Sequence, residues 1–263
     1  MRGLENKVAI VTGAATLLGR EVVAGLIERG VCVLLADIDE AGGESAAKQL
    51  GPRAAFCKTD VQDDAQIGHC VSKAVTHWGG IDFLVNLAAV YLDAGMQSPR
   101  SDWLTALNTN VASTAMLIQA VAPEMIKRGG GAIVNFGSIS GHIAQANRWV
   151  YPATKAAILQ LTRNAAADLA KDNIRVNSVS PGWVWSATFD RRTGGDRAAA
   201  DAAAAPLHML NRMADPAEVA DTVAFLLSYE ARFTTATELA VDGGYLALGP
   251  EQGLLGAERF KSS

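Results

Sequence analysis

The chain has 263 residues, of which 49% are hydrophobic and 19% are charged, and its formal net charge is -4. This composition supports a large core and argues against disorder, nucleic-acid binding and docking to an anionic membrane. No apolar run approaches the roughly 20 residues that span a bilayer. Cys32, Cys57 and Cys70 are widely spaced and lack metal-ligand spacing. We expect a cytoplasmic protein with reduced cysteines, no metal site and no signal peptide before its first strand.

Short apolar runs alternate with segments of helical periodicity. The predicted strands are Lys7–Thr12, Cys32–Ala36, Ala54–Lys58, Phe83–Asn86, Ala132–Phe136, Arg175–Ser180 and Glu238–Val241. The predicted helices are Leu18–Arg29, Ala41–Leu50, Asp63–Trp78, Asp102–Arg128, Tyr151–Asp172 and Pro216–Leu227. We expect Pro123 to bend the fourth helix. This alternation predicts a single doubly wound α/β domain over residues 1–263, with a Rossmann-type parallel sheet of seven strands and helices on both faces.

Two segments fall outside this alternation. Residues 186–206 contain Gly194-Gly195 and an alanine-rich piece, and they form either a surface insertion or a lid over a substrate cleft. We favour the lid, because the segment follows the sixth strand at the edge where ligands bind in such sheets. The tail at 248–263 is apolar in places and is a candidate cover for a neighbouring subunit's cleft.

The turn after the first strand has the features of a dinucleotide site. Gly13 and Gly19 flank a strand–turn–helix, which brings amides and a helix N-terminus up to a pyrophosphate. Asp37 ends the second strand, where a carboxylate accepts hydrogen bonds from the adenosine ribose and repels a 2′-phosphate. Neither Thr16 nor Ile38 supplies an arginine for that phosphate. The pattern favours NAD over NADP, with a helix-capping or turn role for Asp37 as the alternative.

Tyr151 and Lys155 stand at positions i and i+4 of a predicted helix and therefore share a face. An ammonium beside a phenol lowers the phenol pKa toward the range useful for acid/base catalysis. Ser138 follows the fifth strand, where its hydroxyl can bond a reacting oxygen. Since this tyrosine–lysine spacing is common by chance, a surface pair is the alternative.

The whole set of motifs, in this order, resembles the short-chain dehydrogenase/reductase family over roughly residues 5–245. The matching pieces are Thr12-Gly13 with Gly19, Asp37, Asp60-Val61, Asn86-Leu87-Ala88, Asn108-Thr109-Asn110-Val111, Ser138, Tyr151 with Lys155, Pro181-Gly182, and Val241-Asp242-Gly243-Gly244. With Asp37 in place, the chain resembles an NAD-preferring member.

The resemblance implies a role for each matching residue. Tyr151 would be the acid/base, Lys155 would hold the nicotinamide ribose and tune Tyr151, Ser138 would orient the substrate oxygen, and Asn110 would hold a water that links Lys155 to solvent. The implied NAD-binding residues are Gly13, Thr16, Leu17, Leu18, Gly19, Asp37, Ile38, Asp60, Val61, Asn86, Ala88, Tyr151, Lys155, Pro181, Gly182 and Val184. The resemblance also implies a homotetramer, or a homodimer.

Leu17 departs from the family pattern, which has glycine at this position of the turn. A leucine with positive φ would cost roughly 1–2 kcal/mol. The outcome is either a slightly reshaped loop that still binds NAD, or weakened binding with lost catalysis. Leu87 and Ala89 also depart from the pattern, and we expect both to be tolerated.

Residues around the two strand ends are candidates for the substrate pocket. They are Ser138, His142, Gln145, Trp149, Tyr151 and Trp183. Trp183 and Trp185, close to the expected nicotinamide position, suggest an apolar or ring-containing substrate. His142 either bonds a substrate oxygen or faces solvent, and Trp149 belongs either to the pocket or to a subunit interface.

The sequence therefore predicts an NAD(H)-dependent oxidoreductase that interconverts a secondary alcohol and its ketone, with a cyclic or aromatic alcohol or diol favoured. Its partner is a small-molecule substrate. A 3-oxoacyl thioester reductase is the alternative, disfavoured by Asp37 and by the negative net charge. A non-catalytic dinucleotide-binding protein is the alternative from another class, supported only by Leu17.

Overall fold

A computed structural model, which describes residues 1–249, contains one sheet of seven parallel strands in the order β3-β2-β1-β4-β5-β6-β7. The strands are β1 Val8–Thr12, β2 Cys32–Asp37, β3 Ala54–Lys58, β4 Phe83–Asn86, β5 Gly131–Phe136, β6 Ile174–Pro181 and β7 Glu238–Val241. This confirms the predicted doubly wound α/β architecture, and each predicted strand lies within one residue of its observed bounds.

The helices cover both faces of the sheet. They are α1 Leu17–Glu28, α2 Glu40–Leu50, α3 Asp64–Trp78, α4 Arg100–Leu107, α5 Ser113–Lys127, α6 Val150–Leu169, α7 Ala187–Thr193, α8 Arg197–Ala204 and α9 Pro216–Leu227. Successive side chains of a strand point to opposite faces. Ala9 and Val11 of β1 thus pack in a core with α1 and α9, whereas Ile10 packs in a second core with α3 and α5. The sheet is buried on both sides.

The strand order reverses between β1 and β4, and this reversal creates a crevice at the carboxyl ends of the strands. Thr12 joins the two sides of this crevice. Its Oγ1 accepts hydrogen bonds from the amides of Leu87 and Ala88, both at 3.1 Å. The loop after β4 is therefore fixed against the end of β1.

The predicted long helix Asp102–Arg128 is confirmed, since the chain is helical without a break from Arg100 to Lys127. Its hydrogen-bond pattern changes on the way: α4 ends at Leu107, a π-helical turn covers Asn108–Ala112, and α5 begins at Ser113. Helix α5 continues through Pro123, and the bend expected there stays a prediction. Buried side chains on both sides of the proline pack against the sheet, and this tertiary packing outweighs the lost hydrogen bond.

The segment 186–206 forms the two short helices α7 and α8. Ala200 and Ala204 of α8 are buried with Met213 in a small separate core. Trp183, Trp185 and Phe189 pack against this core. The segment is thus an ordered helical flap beside the end of β6, and its role as a lid stays a prediction. Most of the predicted tail at 248–263 lies outside the described residues.

Within residues 1–249, no helix combines the length and apolar character needed to cross a membrane. In the same part of the chain, no three His, Cys, Asp or Glu side chains converge on a common metal position. Cys32, Cys57 and Cys70 are all free thiols.

Candidate active site

The turn between β1 and α1 is packed too tightly for side chains at its glycines. Gly13 has φ of +66°, and a Cβ there would lie 2.9 Å from the amide nitrogen of Ala88. A Cβ on Gly19 would lie 2.8 Å from the Cα of Ala14 and closer still to the carbonyl oxygen of Gly13. Thr16 closes the turn, since its Oγ1 donates to the Gly13 carbonyl and accepts from the Gly19 amide. The backbone itself therefore forms the wall of the crevice.

Leu17 does not carry the strain that the sequence led us to expect. It is the first residue of α1, and its φ is not among the positive values in the described chain. The positive φ of the turn falls on Gly13, and Thr16 before the helix is extended. The cost stated for a leucine with positive φ therefore does not arise, and the effect of Leu17 on NAD binding stays a prediction. Leu17 and Leu18 present first-turn amides, which have no partner within a helix.

Asp37 is fixed at the end of β2 by two main-chain amides. Its Oδ2 accepts from Ala15 at 2.8 Å, and its Oδ1 accepts from Asp39 at 3.0 Å. Helix α2 is capped by Asp39 and not by Asp37, which removes the helix-capping alternative, whereas the bond from the Asp39 amide to Asp37 is the turn contact that the other alternative expects. The sequence analysis missed Arg20, whose guanidinium donates to the carbonyls of Ala15 and Gly42 on either side of the Asp37 segment.

The remaining predicted cofactor residues follow the ends of the strands. Asp60 accepts from the amide of Gln62 and Val61 is buried, both after β3. The Asn86 side chain turns sideways and donates to Asn135 of β5, so it does not project into the crevice. Ile38 is exposed after β2. Pro181, Gly182 and Val184 follow β6, where the Gly182 amide donates to Val241.

The predicted catalytic side chains meet at the ends of β5 and α6. Tyr151, Lys155 and Ser138 are all buried, with exposed fractions of 6%, 4% and 8%. The Lys155 Nζ donates to the carbonyl oxygen of Phe136 at 2.8 Å and lies 5.5 Å from the centroid of the Tyr151 ring. The Ser138 Oγ accepts from the Ser140 amide at 3.1 Å.

The electrostatics of the tyrosine differ from the prediction. Burial raises the pKa of Tyr151 well above its ordinary value, and Tyr91 raises it further, while Ser138 and Arg148 act in the opposite direction. Burial lowers the pKa of Lys155 from 10.5 to about 8. The net shift of the Tyr151 pKa is thus opposite to the expected lowering, because burial outweighs the groups that lower it. The phenol is protonated at neutral pH.

Asn110 lies in the π-helical turn and joins three segments around Tyr151. Its Nδ2 donates to the carbonyl of Val90 and to the hydroxyl of Thr154, and its Oδ1 accepts from the Val90 amide at 2.8 Å. Thr154 in turn donates to the Tyr151 carbonyl. With its side chain used in this way, Asn110 would hold a water through its main chain, and that role stays a prediction.

The predicted substrate residues have varied surroundings. The His142 Nε2 lies 2.7 Å from Glu238 Oε1, an oxygen that also accepts from the Ser180 hydroxyl. Gln145 accepts from Ser140 at 2.8 Å and so braces the loop after Ser138. Trp149 is 54% exposed at the start of α6. Trp183 stacks on Phe189 of α7 with centroids 5.3 Å apart, so it belongs to the helical flap.

Three residues that sequence reasoning missed surround Tyr151. The Tyr91 ring stacks on the Tyr151 ring at a centroid distance of 4.7 Å, and Tyr91 is 71% exposed. The Arg148 guanidinium carbon lies 5.0 Å from the same ring. Asp93 binds the start of α6. Tyr91 and Asp93 have no local sequence signal, because their contacts join segments that are distant along the chain, whereas Arg148 is only three residues before Tyr151 and could have been noticed.

Known proteins resemble this chain over nearly its whole length. A family model described as enoyl-(acyl carrier protein) reductase matches residues 13–246. Cis-4-hydroxycyclohexanecarboxylate dehydrogenase from Sinomonas cyclohexanicum is 35% identical over 92% of this chain and 98% of the relative. The 3-oxoacyl-[acyl-carrier-protein] reductase of Vibrio cholerae is 34% identical, with the same two shares covered. A solved short-chain type dehydrogenase/reductase from Mycobacterium ulcerans is 26% identical, with a TM-score of 0.85 over 92% of this chain and 90% of that one.

Proposed function

This chain belongs to the short-chain dehydrogenase/reductase family of oxidoreductases, and we propose that it interconverts a secondary alcohol and its ketone with NAD(H) as cofactor. Proteins of this family bind a nicotinamide dinucleotide, which supplies or accepts the hydride when it is bound. The observation that carries the proposal is that the buried side chains of Tyr151, Ser138 and Lys155 lie together where β5 ends and α6 begins.

The crevice suits a dinucleotide. At Gly13 and Gly19 any Cβ would strike backbone, so the glycines let the turn pack tightly on itself and on the loop after β4. The first-turn amides of Leu17 and Leu18 and the positive end of the α1 dipole fit a pyrophosphate. Lys155 would contact the nicotinamide ribose, and the segment from Pro181 to Val184 would lie beside the nicotinamide. These are the groups that we propose hold the cofactor.

The preference for NAD over NADP rests on Asp37. Because Ala15 and Asp39 hold its carboxylate in place, Asp37 stays next to the turn and presents negative charge where a 2′-phosphate would lie. Arg20 is a positive charge on the same turn, and its guanidinium donates to the carbonyls of Ala15 and Gly42. A carboxylate held in place repels the 2′-phosphate of NADP. The ribose hydroxyls of NAD carry no charge and are not repelled.

The proton step belongs to Tyr151. Burial raises the pKa of Tyr151, so the phenol carries its proton at neutral pH and has one to give to a carbonyl oxygen, although the same rise makes it a weaker acid than a free phenol. Ser138 would donate a hydrogen bond to the same oxygen and hold it in line. In the reverse direction the alcohol proton passes back to the phenolate. Lys155, with its pKa near 8, lies beside the Tyr151 ring and is the second group that can carry a proton.

A cyclic substrate is the form that we favour. The exposed face of Tyr91 beside Tyr151 and the indole of Trp183 in the flap supply flat apolar surfaces. The Sinomonas relative is named for a substituted cyclohexane substrate, which supports this choice. We further propose that the protein is cytoplasmic and works as a homotetramer or homodimer, as the family resemblance implies.

A 3-oxoacyl thioester reductase is the second candidate. The description of the matching family model and the Vibrio relative favour it. Asp37 argues for NAD, whereas we expect such a reductase to use NADPH, and a net charge of -4 does not suit an acidic carrier partner. A non-catalytic role loses its main support, because Leu17 sits in an unstrained helical position.

The test is turnover of a panel of cyclic and linear secondary alcohols with NAD, and of 3-oxoacyl thioesters with NADH and NADPH, followed at the NADH absorbance. We expect NADH formation with a cyclic alcohol, and Tyr151→Phe should abolish it while NADH affinity, measured by fluorescence titration, stays within about threefold. Asp37→Ala should reduce the preference for NAD over NADP. If NAD binds but no alcohol or ketone reacts, the proposed function is wrong.

A further inference from the structure

One carboxylate from a distant loop binds the start of α6. Asp93, in the loop between β4 and α4, accepts from the amides of Trp149 at 2.6 Å and Val150 at 3.1 Å through Oδ1. Its Oδ2 accepts from the amide of Tyr151 at 3.2 Å. Helix α6 has no side-chain cap from its own N-cap residue, Trp149. The first-turn amides of this helix therefore depend on Asp93 for their partners.

The same loop also contacts the tyrosine ring, because Tyr91 stacks on Tyr151. Arg148, which precedes α6, contacts both the Tyr151 ring and the loop, with its Nε 3.7 Å from Asp93 Oδ2. Gly95 packs against the residue that precedes the arginine, since a Cβ there would lie 2.9 Å from the Cα of Asn147. The Asp93 side chain is 10% exposed, so this contact is shielded from water.

We propose that Asp93 is a positioning residue that sets the place of the Tyr151 phenol by capping α6 from the β4–α4 loop; the proposal rests on the proposed role of Tyr151. A carboxylate is well suited to this task, because negative charge at a helix N-terminus is favourable and two oxygens serve three amides. Tyr151 is itself one of the three capped residues. Any loosening of the cap thus moves the reacting hydroxyl directly.

The variants are Asp93→Ala, which removes the cap, and Asp93→Asn, which keeps one acceptor oxygen. Asp63→Ala is the matched control, because Asp63 caps α3 through the amides of Ala65 and Gln66 and makes no hydrogen bond to α6. A shift of about 1 Å in a catalytic group costs roughly 100-fold in rate. We expect kcat with a cyclic alcohol to fall about 100-fold in Asp93→Ala, about 10-fold in Asp93→Asn and less than threefold in the control, with NADH affinity within about threefold in all.

Hydrogen exchange supplies a second measurement that does not need turnover. The amides of residues 149–151 should exchange at least about tenfold faster in Asp93→Ala, with the sheet unchanged. A wild-type kcat in Asp93→Ala, or parallel loss of kcat and NADH affinity, overturns the inference. If Asp93→Ala does not fold, a wild-type kcat in Asp93→Asn overturns it. If the wild-type protein turns over no substrate, the proposed function is wrong, but the capping role of Asp93 can still be tested by exchange. Unchanged exchange at residues 149–151 in Asp93→Ala would then show that Asp93 does not cap α6.

Discussion

Replacing Lys155 by methionine should raise the stability of the protein at neutral pH while it removes activity. Burial lowers the pKa of Lys155 from 10.5 to about 8. By linkage, holding this ammonium in the folded protein at pH 7 costs about 3 kcal/mol. Methionine has a similar shape without the charge. It loses the hydrogen bond to the Phe136 carbonyl, worth about 1 kcal/mol. The expected net gain is about 2 kcal/mol, or roughly 4–8 °C in Tm for a chain of this size.

The stability gained by Lys155→Met should decrease as the pH rises. The folded pKa of Lys155 lies below the unfolded one, so between pH 8 and 10.5 the folded protein binds fewer protons. Wild-type stability therefore rises with pH across this window, and the cost of the ammonium falls to about 2 kcal/mol at pH 9. The advantage of Lys155→Met should shrink by about 1 kcal/mol between pH 7 and pH 9. Urea unfolding at the two pH values measures both quantities.

Lys73 provides a matched control for this measurement. Its Nζ also donates to a phenylalanine carbonyl, that of Phe56, at 2.8 Å, but the residue is exposed. Lys73→Met should change stability by less than about 0.5 kcal/mol, as is usual for a surface position. A Lys155→Met protein that is less stable than wild type at pH 7, or whose gain does not shrink by pH 9, would refute the reasoning.

Three further outcomes concern stability and cofactor binding. Gly19→Ala should destabilise the protein by about 1–3 kcal/mol and weaken NADH binding, since its Cβ would strike backbone; calorimetry measures both. Gly68→Ala, a mid-helix position in α3 with open space around the Cβ, should instead stabilise by about 0.5–1 kcal/mol in urea unfolding. Burial raises the pKa of Asp82, but hydrogen bonds from Lys7, a main-chain amide and Arg128 outweigh it and lower that pKa. Asp82→Asn should therefore cost about 2–3 kcal/mol at pH 7, a gap that narrows as the pH falls below about 4; an equal gap at pH 3 would contradict the assignment.

The sheet was predictable because its strands are buried on both faces and read as continuous apolar runs. The strand bounds Ala54–Lys58, Phe83–Asn86 and Glu238–Val241 were predicted without error. The helical pattern was less informative where the backbone changes its hydrogen-bond period. Nothing in the side-chain types at Asn108–Ala112 distinguishes a π-helical turn from an α-helix.

The sequence predicted which residue types form the site. It did not predict how deeply each side chain is buried or which groups surround it. Tyr151, Ser138 and Lys155 are near each other, as their places after β5 and at the start of α6 imply. Their pKa directions depend on burial and on contacts from other loops, which one sequence does not reveal. Leu17 shows the same limit for the backbone, because the residue that takes the positive φ is decided by the whole turn.

Glu238 of the last strand contacts both His142 and Ser180, and His142 lies in the loop that follows Ser138. The last strand therefore helps to anchor that loop. Glu238 begins β7, near the end of the described chain, whereas Ser138 follows β5. During synthesis the residues of the acid/base group leave the ribosome well before this glutamate does. The loop beside them gains its final anchor only when β7 pairs with β6, so a nascent chain that already contains Tyr151 and Lys155 still lacks a finished cleft. The final anchoring of this loop is thereby tied to the synthesis of β7.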